Sequence, residues 1–198
     1  MSENLVRKSH VMASEFFRGK TIRWAVDATL GLGRDALFLA SLLEKDGEVF
    51  GFDIQEKSIF ASRELFKRMA PSKRLRAYLC CHSKMLEKIP LELRGKISCV
   101  FFNLGWMPCS DKSVVTSPES TVSALDASLK LLDASMGALS VLSYRGHDGG
   151  EAEFYAVSKF FNDNFSAENF DVVRCSDAPI SPVLFFARMQ SCRQYEIS

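Results

Sequence analysis

Residues 26–40 read VDATLGLGRDALFLA: an apolar run ends, a glycine turn follows, and a helical repeat of Leu and Phe begins. Gly31, Gly33 and Ala36 match the G-x-G-x-x-A spacing. Glycines there permit a tight turn and let a ligand approach the backbone, while the helix that follows offers unpaired N–H groups. Strand, turn and helix in that order form the opening unit of an α/β fold.

The rest of the chain repeats this unit. Short runs rich in Val, Ile and Phe predict strands over residues 23–28, 48–53, 76–81, 97–103 and 138–144, with two weaker ones over 171–175 and 183–189. Between them, helical spacing of apolar residues predicts sheet-covering helices over 35–44, 57–69, 120–132 and 151–161, and another over 6–17 ahead of the first strand. The last two strands are joined only by DAPISP, too short for the crossover that a parallel pair needs, so they are expected to be antiparallel neighbours. A mostly parallel seven-stranded sheet with helices on both faces and one antiparallel strand resembles the Rossmann-like class I fold of S-adenosylmethionine methyltransferases.

Size and composition narrow the class. With 198 residues, 47% hydrophobic and 25% charged, the chain is expected to form one soluble domain over 1–198, residues 1–20 being an N-terminal helical extension. The six cysteines include no C-x-x-C pair and read as reduced thiols, with Cys80, Cys81 and Cys99 in strand-like runs. No run approaches the roughly 20 apolar residues of a membrane span, and residues 1–10 lack a signal-peptide core. A cytoplasmic protein without membrane contact is expected. The net charge of +1 excludes a global electrostatic case for nucleic acid. One local cluster exists: Arg63, Lys67, Arg68, Lys73, Arg74 and Arg76 lie within fourteen residues against Glu64 alone. It reads first as a solvated helix end and second as a phosphate contact surface.

Candidate site residues collect at the expected carboxyl ends of the strands, where open α/β sheets bind ligands. The second strand ends GFDIQ, and Asp53, about 20 residues beyond the glycines, suits the hydroxyls of a ribose. Asp27 ends the first strand and Asp35 opens the following helix. Two carboxylates there disfavour a pyrophosphate but suit the ammonium and sulfonium of S-adenosylmethionine. Thr29 shares the turn, and His82 and Ser83 follow the third strand as candidates for the adenine side.

Two further turns carry chemistry. The fourth strand runs into FFNLGWMPCSDKS, where the Asn103 side chain and the Leu104 carbonyl can accept hydrogen bonds from an amine and Trp106 can stack on a base. Asn-Leu-Gly-Trp is similar to the Asn-Pro-Pro-aromatic turn of methyltransferases acting on nitrogen, without its prolines. The fifth strand leads into SYRGHDGGEAEF, which brings Tyr144, Gly146 and His147 to the same edge, with Asp148 a candidate N-cap for the next helix.

Five stretches, VDATLGLGRDALFLA, GFDIQ, FFNLGWMPCSDKS, TSPESTVSALDASLKLL and YRGHDGGEAEF, together resemble the bacterial rRNA methylase family linked to tRNA 5-(aminomethyl)-2-thiouridine methylation. The resemblance implies an S-adenosylmethionine pocket formed by Asp27, Thr29, Gly31, Gly33, Asp53, Gln55 and His82. It implies a substrate side shaped by Asn103, Gly105, Asp111, Lys112, Thr116, Glu119, Tyr144, Gly146 and His147. Where that family reads Gly-Asn-Gly-His-Asp-Thr, this chain has Gly31, Leu32, Gly33, Arg34, Asp35 and Ala36.

The activity so implied is methylation of the aminomethyl group on a tRNA wobble uridine. Asn103, Tyr144 and His147 are the expected catalytic residues. An alkyl amine, with pKa about 10.4 like Lys, must lose its proton before attack, and Tyr144, His147 or water is the expected acceptor. No metal is expected, because His10, His82, His147 and the cysteines lack ligand spacing. The expected partner is the anticodon region of tRNA, with Lys112 and the basic cluster on its phosphates; a homodimer is a further possibility. The competing readings are an rRNA or small-amine acceptor, a nicotinamide-dependent oxidoreductase, and a cofactor-binding RNA module without catalysis.

Overall fold

The computed structural model describes residues 2–105, 116–176, 178 and 180–189. Helix α1 (Ser2–Phe16) precedes β1 (Trp24–Asp27), α2 (Arg34–Leu42), β2 (Glu48–Asp53), α3 (Glu56–Met69) and β3 (Arg74–Leu79). There follow α4 (Met85–Lys88), β4 (Cys99–Leu104), α5 (Pro118–Leu131), β5 (Ala138–Ser143), α6 (Gly150–Asn164), β6 (Phe170–Arg174) and β7 (Val183–Arg188). The seven strands form one sheet in the order β3-β2-β1-β4-β5-β7-β6. All neighbours are parallel except β7, which runs antiparallel to both β5 and β6.

The central strands are mostly apolar because both of their faces are covered. In β4, Val100 and Phe102 join Phe50, Phe52, Leu125 and Phe161 in one core, while Cys99 and Phe101 face Ala36, Leu39, Met12 and Phe66 in the other. Helices α1, α2 and α3 therefore cover one face and α4, α5 and α6 the opposite one. β3 begins two residues before its expected start, and Cys80 and Cys81 lie half-buried beyond its end, whereas Cys99 is a buried core thiol. Burial pushes the Cys99 thiol pKa up.

The helix starts follow local chemistry. Ser117 and Ser120 form a reciprocal capping box that brackets Pro118 in the first turn of α5. At α6 the expected cap is corrected: Gly149, left-handed at φ 77°, holds the N-cap position instead of Asp148, and no side chain caps it. No helix among the described residues is long and apolar enough to cross a membrane.

Candidate functional site

The carboxyl ends of β1, β2, β4 and β5 form one edge, and the turn after β1 is built into it by backbone bonds. Ala28 N donates to Phe101 O and Leu30 N to Phe52 O, each at 2.9 Å. Asp53 fastens the turn: its Oδ2 accepts from Gly31 N and its Oδ1 from Gln55 N, both at 2.8 Å. A carboxylate has further lone pairs, so Asp53 can still accept from a ligand hydroxyl. Gly33 adopts φ 77°, and a Cβ on it would lie 2.7 Å from Ser62 Cβ. Only glycine lets α2 begin this close to α3.

Behind the turn lies a buried acid. Asp27 is fully shielded from solvent, its Oδ1 accepts from Thr29 N at 3.2 Å, and its Oδ2 has no hydrogen-bond partner. Burial, with the Asp35 carboxylate adding to it, holds the Asp27 pKa well above the ordinary carboxylate value. His82 is also buried, edge-on to Phe102, with Nε2 unpartnered. Burial pushes its pKa down to about 4 against the opposing pull of a hydrogen bond with the Ala28 backbone. Ser83, beside it, donates to Cys81 Sγ.

Asn103 lies one residue inside the end of β4, which extends through Leu104. Its backbone N donates to Thr29 Oγ1 at 2.7 Å, and its Nδ2 donates to Asp35 Oδ2. The other Asp35 oxygen accepts from His10 Nε2 at 2.7 Å. A carboxylate only accepts, so the Asn103 amide has its nitrogen toward Asp35 and its Oδ1 turned away from it. The Leu104 carbonyl accepts from Tyr144 N at 3.1 Å, which leaves it one lone pair.

The turn after β4 is pinned from an unexpected side. Gly105 N donates to Thr116 Oγ1 at 3.0 Å, and Thr116 donates to Glu153 Oε2 at 2.7 Å. Thr121 donates to the other Glu153 oxygen at 2.6 Å, and Glu153 is fully buried. Gly105 has φ 136°, and a Cβ on it would lie 3.2 Å from Tyr144 Cβ and 3.3 Å from His147 Nε2. His147 Nδ1 lies 2.9 Å from the Asp148 carbonyl. A carbonyl can only accept, so Nδ1 carries the hydrogen, and in the neutral ring Nε2 holds a lone pair, here buried and unpartnered.

The structure thus gathers Asp27, Thr29, Gly31, Gly33, Asp35, Asp53 and Asn103 around one turn, and Leu104, Gly105, Tyr144, His147 and Thr116 around the next. Gly146 and Glu119 are exposed at its margin, Glu119 in the first turn of α5. Trp106, Asp111 and Lys112 lie outside the described residues. Much of the basic cluster serves the fold itself. Arg63 donates to Ala77 O, Lys67 pairs with Glu64, Lys73 donates to Leu43 O and Glu44 O, and Arg76 pairs with Glu48. His10, Thr121 and Glu153 join the site without having been expected there. Their one signal in the sequence is a polar residue at a helix position whose neighbours are apolar.

The chain resembles known proteins over most of its length. A family described as "Putative rRNA methylase" matches residues 49–183. A relative from Arabidopsis thaliana, the chloroplastic tRNA (mnm(5)s(2)U34)-methyltransferase, is 33% identical over 181 residues, covering 85% of this chain. The chain spans 63% of that relative's length. An rRNA-methylase structure from Clostridium thermocellum superposes with TM-score 0.76 at 31% identity, covering 92% of this chain and 96% of that one. A Streptococcus mutans methyltransferase in complex with SAH gives TM-score 0.72 at 28% identity, with the same coverage of both chains. The residues at the edge fit such a ligand: Asp27 Oδ2 is an orphaned buried acceptor, a costly feature that a cationic group would relieve. This chain belongs to the rRNA methylase family of S-adenosylmethionine-dependent methyltransferases, built on the class I fold.

Proposed function

We propose that this methyltransferase acts on the aminomethyl nitrogen of 5-aminomethyl-2-thiouridine at the wobble position of tRNA. The observation that carries the reading is the Asn103 amide, fastened through Nδ2 to Asp35 so that its acceptor atom, Oδ1, faces away from the carboxylate. An acceptor oxygen selects a nucleophile that bears N–H, as an amine does. The Arabidopsis relative's name, at 33% identity, supports a tRNA aminomethyl group as that nucleophile.

Asp27, Asp35, the Gly31–Gly33 turn and Asp53 are the residues that would hold S-adenosylmethionine. When bound there, it supplies an electrophilic methyl group on a sulfonium. The protein's own part is to orient and deprotonate the amine. Asn103 Oδ1 accepts one of its N–H bonds and so directs the lone pair, which supplies rate by proximity. The amine arrives mostly protonated at neutral pH, having a pKa of about 10.4 like Lys. His147, whose Nδ1 donates to Asp148 O, accepts the amine's proton once its Nε2, buried beside Gly105 and Gly150 in the free protein, is opened to the substrate. Tyr144, whose backbone closes the strand end against Leu104, walls that side of the site.

The experiment is mass analysis of tRNA nucleosides from cells in which this gene is deleted. The reading expects 5-aminomethyl-2-thiouridine to accumulate in place of its methylated form. An unchanged nucleoside profile, or loss of a methyl mark from rRNA instead, contradicts it.

A further inference from the structure

We infer that His10, on the N-terminal helix α1, is a positioning residue of the methyl-transfer site that acts through Asp35 on the Asn103 amide. The inference rests on the reading of Asn103 as the group that orients the acceptor amine. Its basis is a continuous set of contacts. The His10 ring stacks on Phe38 at 3.8 Å between centroids and 6° between planes, and tilts against Phe101 at 6.1 Å. Phe38 lies one turn after Asp35 on α2, so the stack sets the ring directly over the carboxylate. His10 Nε2 donates to Asp35 Oδ1 at 2.7 Å, and Asn103 Nδ2 donates to Oδ2.

Asp35 is nearly buried, so its two oxygens are aimed mainly by these two donors. With both in place, the carboxylate plane is fixed and so is the face of the amide that points outward. With His10 gone, Oδ1 loses its donor, the carboxylate is free to rotate about its side chain, and the amide loses a fixed partner. A rotated or flipped amide would present N–H instead of oxygen to the acceptor and repel an amine's hydrogens. The first helix is therefore a working part of the site, and no local motif marks it as one.

Two variants and one double variant test this. His10→Ala is expected to lower kcat about ten- to a hundredfold, the scale of a small misplacement of a reacting group, with a much smaller change in KM for tRNA. His10→Gln, which keeps an N–H donor, recovers part of that loss. The double variant His10→Ala/Asn103→Ala is no slower than Asn103→Ala, because His10 acts only through the amide; multiplied losses would indicate a general structural role and overturn the inference. Wild-type kcat in His10→Ala beside an Asn103→Ala of low but measurable kcat overturns the inference and leaves the Asn103 reading intact. Full activity of Asn103→Ala instead removes the underlying reading. A readout without substrate runs in parallel: the Asn103 side-chain NH2 resonances of the free protein. Their two protons are expected to be widely separated in the wild type and to draw together in His10→Ala; identical spectra in both proteins overturn the inference.

Discussion

Glu153 and Thr116 meet at 2.7 Å inside the protein, the Thr hydroxyl donating to Oε2 while it accepts from Gly105 N. With Thr121 on the other oxygen, one buried carboxylate on α6 holds the end of β4 and the start of α5 in register with each other. Glu153→Leu would strand the Thr116 and Thr121 hydroxyls without acceptors. The expected cost is about 2–4 kcal/mol of stability, on the scale of buried polar groups left unpaired. Glu153→Gln keeps one acceptor oxygen and should cost less while still slowing turnover. Chemical denaturation beside a turnover assay checks both; equal stability in Glu153→Leu and wild type would show that the network does not hold the turn.

Asp27 gives a pH signature for cofactor binding. Its pKa is raised by burial and by Asp35, so the free protein keeps this acid protonated to higher pH than an ordinary carboxylate. A ligand ammonium beside it favours the charged form and expels the proton. Affinity for SAH is therefore expected to rise with pH from the ordinary carboxylate range up to the raised pKa and then level off. Asp27→Asn should bind about ten- to a hundredfold more weakly, the worth of a charge-assisted hydrogen bond, with that slope abolished. Calorimetry across pH measures both. A slope unaltered in Asp27→Asn would place the titrating group elsewhere.

His82 gives a pH signature in stability. Burial lowers its pKa to about 4 from 6.5, so the folded state resists a proton that the unfolded chain accepts. A lowered histidine pKa contributes no penalty above 6.5, and stability falls as pH drops from there toward 4. Thermal melts of His82→Gln should show a shallower decline over that window than the wild type. Parallel curves would mean that His82 does not titrate there.

Gly105 tests the closeness of the two turns. A methyl group at this position meets Tyr144 Cβ at 3.2 Å and His147 Nε2 at 3.3 Å, on a backbone at φ 136° that side chains rarely adopt. Gly105→Ala is expected to lose about 1–3 kcal/mol of stability and most of its turnover, because the His147 ring must move. A variant with wild-type turnover would show that the ring need not sit where it does.

The fold was legible because the central strands are covered on both faces, which writes them as unbroken apolar runs such as Val100, Phe101 and Phe102. The edge strand β3 was less so: its Arg74 and Arg76 face solvent, and its start lay two residues earlier than expected. That Asp27, Asp53 and Asn103 meet around the glycine turn was legible because each stands at or next to a strand end on one edge of the sheet. His10 and Glu153 were not. Each sits in an amphipathic helix, where an inward polar side chain looks like a lapse in periodicity until its partners Asp35, Thr116 and Thr121 are brought up from distant segments. The basic cluster agrees with its first reading, a solvated helix end, and Arg63, Lys67, Lys73 and Arg76 are engaged by nearby backbone and carboxylates.

The central claim is tested most directly with purified protein, methyl-labelled S-adenosylmethionine and tRNA taken from cells lacking this gene, followed by nucleoside mass analysis. The account predicts label in 5-methylaminomethyl-2-thiouridine with the wild type and almost none with Asn103→Ala. Label in any other nucleoside, or equal label with Asn103→Ala, would contradict it.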